Sequence, residues 1–181
     1  MTHILATGAA LGADIPNIDL GEPLTDGQVE ELRNAFHTHS VLCFRNQTLS
    51  KADQVRFSRY FGEPIPHPTN FRDRDPDFPE VTIISNVQKE GQAIGALGNA
   101  EIHFHADLVF LPTPGSISLL YCVEAPDIGG DTYWASGYAA YEALDEEIRN
   151  QIDGLSAVYV HAKPEYNPPV APRHPLVCVH P

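Results

Sequence analysis

The chain carries 16 prolines and 13 glycines in 181 residues, and they cut it into apolar runs too short for most helices. Runs at 40–45, 81–86, 101–110, 116–123, 155–161 and 176–179 are rich in β-branched and aromatic residues, and Gly, Pro or Asn separates most of them. Each reads as a strand, and the segment 11–20 reads as a strand and turn. Helical spacing is confined mostly to the first third. Thr25 with Gln28 forms a capping box for a helix over 28–38, with Val29, Leu32, Ala35 and Phe36 on one side. Ser50 caps a second helix with Ala52, Val55, Phe57 and Phe61 inward and Gly62 at its end. A third helix is expected over 137–151 with Ala139, Ala140, Leu144 and Ile148 on its apolar side. Short strands between Gly/Pro turns, with few helices, favour a mainly β fold with flanking helices, a barrel or jelly-roll core, over a doubly wound sheet.

Length and composition fit one domain over 1–181. The formal charge of −13 repels phosphate backbones, so nucleic acid is not an expected partner. Gly91, Gly95 and Gly98 lack the Gly-x-Gly-x-x-Gly spacing and no P-loop is present, so no nucleotide cradle is expected. Cys43, Cys122 and Cys178 are odd in number and widely spaced, which reads as buried reduced thiols, not a disulfide framework. The start Met1-Thr2-His3-Ile4-Leu5 has no basic leader pattern and no apolar run reaches spanning length, so the expected setting is cytoplasmic, with no membrane contact.

The run 101–110 places ionisable ligand types inside an apolar stretch. On a strand, His105 and Asp107 share a face and Ala106 takes the other. A His-x-Asp pair completed by a distant His is a two-His-one-carboxylate set, which leaves three positions open on iron. The same pair also fits a solvated His and Asp on a strand edge. His67 stands out in the proline-rich loop 63–79, where a plain surface histidine is the alternative.

Further motifs line up in order: Leu11-Gly12-Ala13-Asp14-Ile15, Val41-Leu42-Cys43-Phe44-Arg45-Asn46-Gln47, Phe57-Ser58-Arg59-Tyr60-Phe61-Gly62 and Ser85-Asn86-Val87. Phe104-His105-Ala106-Asp107, Gly129-Gly130-Asp131-Thr132-Tyr133-Trp134 and His174-Pro175-Leu176-Val177 follow them. With these the chain resembles the taurine dioxygenase (TauD/TfdA-like) family of Fe(II)/2-oxoglutarate-dependent oxygenases. The resemblance implies a double-stranded β-helix, or jelly-roll. It implies His105 and Asp107 as iron ligands, Thr132 at the 2-oxoglutarate carboxylate and His67 at the acid group of the substrate. Asn86 and Trp134 sit in matching motifs, but a turn-forming amide and a core aromatic describe them as well. Glu101 stands where the taurine enzyme has an amide, and a carboxylate facing an anionic head argues against taurine. The implied reaction is hydroxylation of a small, acidic organic substrate, with Fe(II), 2-oxoglutarate and O₂ required and succinate and CO₂ released. Hydroxylation beside a heteroatom gives an unstable product that fragments, the way sulfonates and aryl ethers are cleaved in this family.

In that family a second iron-binding His and an Arg for the far carboxylate of 2-oxoglutarate follow the segment that matches His174 to Pro181. Of the downstream histidines, His161, His174 and His180, none matches the distal ligand. The expectation is therefore a jelly-roll incomplete at its C-terminus, the N-terminal two-thirds of such a domain. Its open strand edges leave room for a second copy of the chain. The alternative is a truncated or non-catalytic jelly-roll that binds a metal or a partner.

Overall fold

The computed structural model describes residues 1–66, 75–98 and 102–179. Its backbone groups into two compact units, Met1–Ile102 with Leu119–Gly130, and His103–Ser118 with Asp131–Pro181.

In the first unit, β1 (Leu5–Ala6) runs antiparallel to β2 (Ala13–Asp14), and β2 runs parallel to β3 (Leu42–Cys43). Helix α1 (Asp26–His39) makes the crossover between β2 and β3. It begins where the capping box predicts: Thr25 Oγ1 accepts the Gln28 N–H at 3.3 Å, and Gln28 Oε1 accepts the Thr25 N–H at 3.0 Å. Helix α2 (Lys51–Ser58) has the same device in Ser50 and Asp53. Two details differ from expectation. Ala52 is exposed, and α2 stops at Ser58, with turns continuing through Phe61 before Gly62.

Val29, Leu32 and Ala35 of α1 are buried, as are Val55 and Phe57 of α2. Ile15, Ile18, Leu20, Leu32 and Phe57 form one core, with Leu42, Phe44, Phe61 and Leu119 packed against it. The Phe57 ring meets Phe44 and Phe61 edge-on, each at 5.5 Å between centroids. Gln47 ties the irregular segments to this core: its Oε1 accepts the Leu20 N–H at 2.8 Å, and its Nε2 donates to Ile18 O at 2.9 Å. Satisfying loop backbone in this way removes the desolvation cost of leaving it unpaired.

Strand β4 (Ile84–Ser85) pairs in parallel with a later strand across a small hairpin, β5 (Gln88–Lys89) with β6 (Gln92–Ala93). Its turn uses Glu90 at φ 53° and Gly91 at φ 76°, the double left-handed conformation of a two-residue hairpin. The partner of β4 is β7 (Ala96–Leu97). Gly95 permits that approach, since a Cβ there would lie 2.8 Å from Ser85 N and 2.9 Å from Ile83 O.

The second unit holds α3 (Gly137–Glu142), α4 (Glu146–Ile152), and the antiparallel pair β8 (Ser156–Val158) and β9 (Arg173–Pro175). The single helix expected over 137–151 is thus two, because Asp145 leaves the helix and accepts the Ile148 N–H at 2.8 Å as the cap of α4. The last strand lies upstream of 176–179. Bonds from Tyr159 N–H to Pro172 O and from Leu176 N–H to Leu155 O bracket the ladder and fix its register.

The described strands are two or three residues long, in one three-stranded and three two-stranded ladders. Neither 102–110 nor 116–123 forms a strand. No described segment pairs with them, and a strand without a neighbour leaves its backbone groups to turns and solvent. Two further expectations fail with these strands. Cys43, Cys122 and Cys178 are free, but Cys122 and Cys178 are exposed, not buried. Trp134 is 55% exposed and is no core aromatic. Among the described residues, no helix is long and apolar enough to cross a membrane.

Candidate metal centre

The His105–Asp107 pair lies wholly in the second unit, in an irregular segment where Asp107 opens a turn and a strand was expected. Leu108 adopts φ 56°, and the Leu111 N–H closes the turn on Leu108 O at 2.9 Å. A left-handed residue directly after Asp107 bends the chain at the pair. Phe110, 7% exposed, then anchors the segment against the His161 ring at 4.9 Å, and His174 Nε2 donates to Leu111 O at 3.0 Å.

The turn still brings the two side chains together, although strand alternation is not what does it. His105 Nε2 lies 3.2 Å from Asp107 Oδ1, with the side chains 56% and 52% exposed. The other atoms of each group are engaged. His105 Nδ1 is 2.8 Å from the carbonyl oxygen of His103, so it must carry the proton it donates. Ser118 Oγ donates to Asp107 Oδ2 at 2.5 Å. A neutral His105 held in that tautomer presents a bare lone pair at Nε2 to a carboxylate oxygen. Two lone pairs at this distance repel unless a cation serves both, either a proton on Nε2 or a metal ion.

The separation fits a metal. Two donors each about 2.1 Å from one octahedral centre, at right angles, stand about 3 Å apart. The imidazole donating its other N–H to a backbone carbonyl is the usual outer partner of a metal-bound histidine. Among the described residues, no group of three or more His, Cys, Asp or Glu side chains is placed to hold an ion, and the pair by itself offers two donors.

The other expected site residues divide. Thr132 lies exposed in the irregular segment ahead of α3, in the same unit as the pair. His67, Glu101 and His180 lie outside the described residues. His161 and His174 are engaged structurally: the Lys163 N–H donates to His161 Nδ1 at 2.9 Å, and the His174 Nε2–H is held by Leu111 O. Sequence reasoning missed Ser118 and the His103 carbonyl. Ser118 is 11 residues beyond Asp107, and its one sequence signal is a hydroxyl inside an apolar run.

The sequence pattern of the "Taurine catabolism dioxygenase TauD, TfdA family" matches residues 4–181. The chain belongs to this family. Among TauD, TfdA relatives, an alpha-ketoglutarate-dependent sulfate ester dioxygenase from Pseudomonas putida is 33% identical over 191 residues, covering 94% of this chain and 60% of the relative. An alpha-ketoglutarate-dependent 2,4-dichlorophenoxyacetate dioxygenase from Cupriavidus pinatubonensis is 34% identical over 159 residues, 80% of this chain and 53% of the relative. The crystal structure of a putative alpha-ketoglutarate-dependent taurine dioxygenase from Burkholderia xenovorans superimposes with a TM-score of 0.75 at 29% identity, over 100% of this chain and 60% of that one. The fold is thus that of TauD-like dioxygenases. The chain spans 60% of the length of the sulfate ester dioxygenase and 53% of that of the 2,4-dichlorophenoxyacetate dioxygenase.

Proposed function

We propose that the whole protein is an Fe(II)/2-oxoglutarate-dependent dioxygenase that hydroxylates a small, acidic organic substrate and releases succinate and CO₂. The observation that carries this is the Nε2···Oδ1 contact of 3.2 Å between two groups whose remaining atoms are already engaged. Membership of the family supports it, as do the named activities of the relatives on a sulfate ester and on an aryloxyacetate, both anionic.

In this reading His105 and Asp107 hold the iron, Thr132 holds a carboxylate of 2-oxoglutarate, and His67 meets the acid group of the substrate. The iron with 2-oxoglutarate and O₂ supplies the oxidising chemistry when bound. The chain's own contribution is placement. The His103 carbonyl keeps the Nε2 lone pair of His105 available, and the Leu108 turn aims the carboxylate beside it. The half-exposed pair leaves room for ligands from small molecules. A second histidine and an arginine, which in the family follow the segment that matches His174 to Pro181, would complete such a set. The same reading takes the protein as cytoplasmic, with neither nucleic acid nor membrane as partner.

The test is succinate release by the whole protein with Fe(II) and 2-oxoglutarate, across panels of sulfate esters, sulfonates and aryloxyacetates. At least one panel should be turned over, and His105→Ala and Asp107→Ala should each reduce release to background. No succinate with any panel, together with no stoichiometric iron, would sink the reading.

A further inference from the structure

The hydroxyl of Ser118 is not explained by packing. Ser118 is exposed, stands in a segment without a ladder, and returns to the pair from 11 residues downstream to place Oγ 2.5 Å from Asp107 Oδ2. On the return path Gly115 lies against Leu108, where a Cβ would make an ordinary van der Waals contact of 3.6 Å with Cδ1. We propose that Ser118 is a positioning residue that holds the Asp107 carboxylate in single-oxygen ligation, an inference that rests on the metal reading above.

The argument turns on which oxygen is free. A carboxylate can offer a cation one oxygen or both. The Ser118 O–H donates along one lone pair of Oδ2 and turns that oxygen toward residue 118, while Oδ1 stays 3.2 Å from His105 Nε2. Asp107 then fills one position of a six-coordinate ion. With the two histidines of the family's set the protein would supply three donors and leave three positions for cosubstrate and oxygen. A carboxylate free to rotate and bind through both oxygens would close one of those three. His105 is fixed by the equivalent device, its Nδ1–H donated to His103 O. Each proposed ligand therefore has one atom facing its neighbour and the other restrained by a neutral group.

The whole protein, with Mn(II) alone as the probe, tests this through the pair Ser118→Thr and Ser118→Val, which share a shape and differ in the hydroxyl. Ser118→Thr should bind Mn(II) like the parent, and Ser118→Val should bind about tenfold more weakly or worse. With Co(II) in place of Mn(II), the visible spectrum of Ser118→Val should depart from that of the parent, and that of Ser118→Thr should not. A merely structural side chain would move neither the Co(II) spectrum nor the contrast within an isosteric pair. Equal Mn(II) affinities and identical Co(II) spectra for the two variants overturn the role of Ser118. In the same titrations His105→Ala should lose Mn(II) binding. If it binds as the parent does, the metal reading itself has failed, an outcome distinct from a failure at Ser118.

Discussion

Two serine–carboxylate bonds of the same length sit in the two units and do different things. In the first unit, Ser50 Oγ donates to Asp53 Oδ2 at 2.5 Å, and Arg56 Nη1 holds Oδ1 at 2.6 Å. Both oxygens have donors, and the carboxyl of Asp53 is held down to about 2, first by the Ser50 hydroxyl, then by the Ser50 N–H and Arg56. In the second unit, Ser118 holds Asp107 Oδ2 at the same 2.5 Å, but Oδ1 faces the Nε2 of His105. A carboxylate whose second oxygen meets a guanidinium is finished as architecture. One whose second oxygen meets an imidazole nitrogen has room for a cation between the two, a proton on Nε2 or, in the reading proposed above, a metal ion. The surroundings agree: every buried apolar side chain among the described residues except Phe110 belongs to the first unit.

The largest test of that division is in the core. Leu32 is fully buried at the centre of the first unit, so Leu32→Ala should lower stability by about 2–5 kcal/mol, read by thermal or denaturant melting. Mn(II) affinity per folded molecule should be unchanged, because no metal-ligand candidate lies in that core. A joint loss of stability and metal affinity in this variant would break the division between scaffold and site.

How legible each region was in the sequence follows the same line. The caps were readable because they are local: Thr25 and Gln28, three residues apart, satisfy each other within one turn of chain. That His105 and Asp107 come together was readable too, since the two side chains do meet. Their geometry was not, because strand alternation predicts a shared face, whereas the structure uses the left-handed Leu108 and a turn. Strands at 102–110 and 116–123 failed for a non-local reason, since a ladder depends on what lies alongside and an apolar run does not specify it. Asp145 broke the third helix with a side-chain bond that competes with the helical backbone, and apolar periodicity carries no trace of it.

A smaller effect separates the two serines. Ser50→Ala removes the cap of α2 and should cost about 1 kcal/mol in a denaturant melt, with Mn(II) binding untouched. Ser118→Val should do the opposite, weakening Mn(II) binding while the melt of the metal-free protein stays near the parent. Two serines with one bond length would then be told apart by which measurement each one moves.

The smallest effect is in acid. The folded value of Asp53, about 2, lies below the ordinary unfolded value of about 3.9, so the stabilisation it gives is complete above pH 4 and is lost as pH falls toward 2. Asp75, beside Lys51 Nζ at 2.6 Å, and Glu31, which accepts from the Thr2 N–H at 2.7 Å, are also lowered and act in the same direction. The stability of the first unit should therefore fall between pH 4 and pH 2, and Asp53→Asn should flatten part of that limb. Because the Ser50 hydroxyl is the first cause of the shift, Ser50→Ala should raise the Asp53 midpoint, followed by carboxyl NMR, further than Arg56→Met does. The reverse order would mean that the guanidinium, not the hydroxyl, sets this carboxylate, and that the likeness between Asp53 and Asp107 stops at bond length.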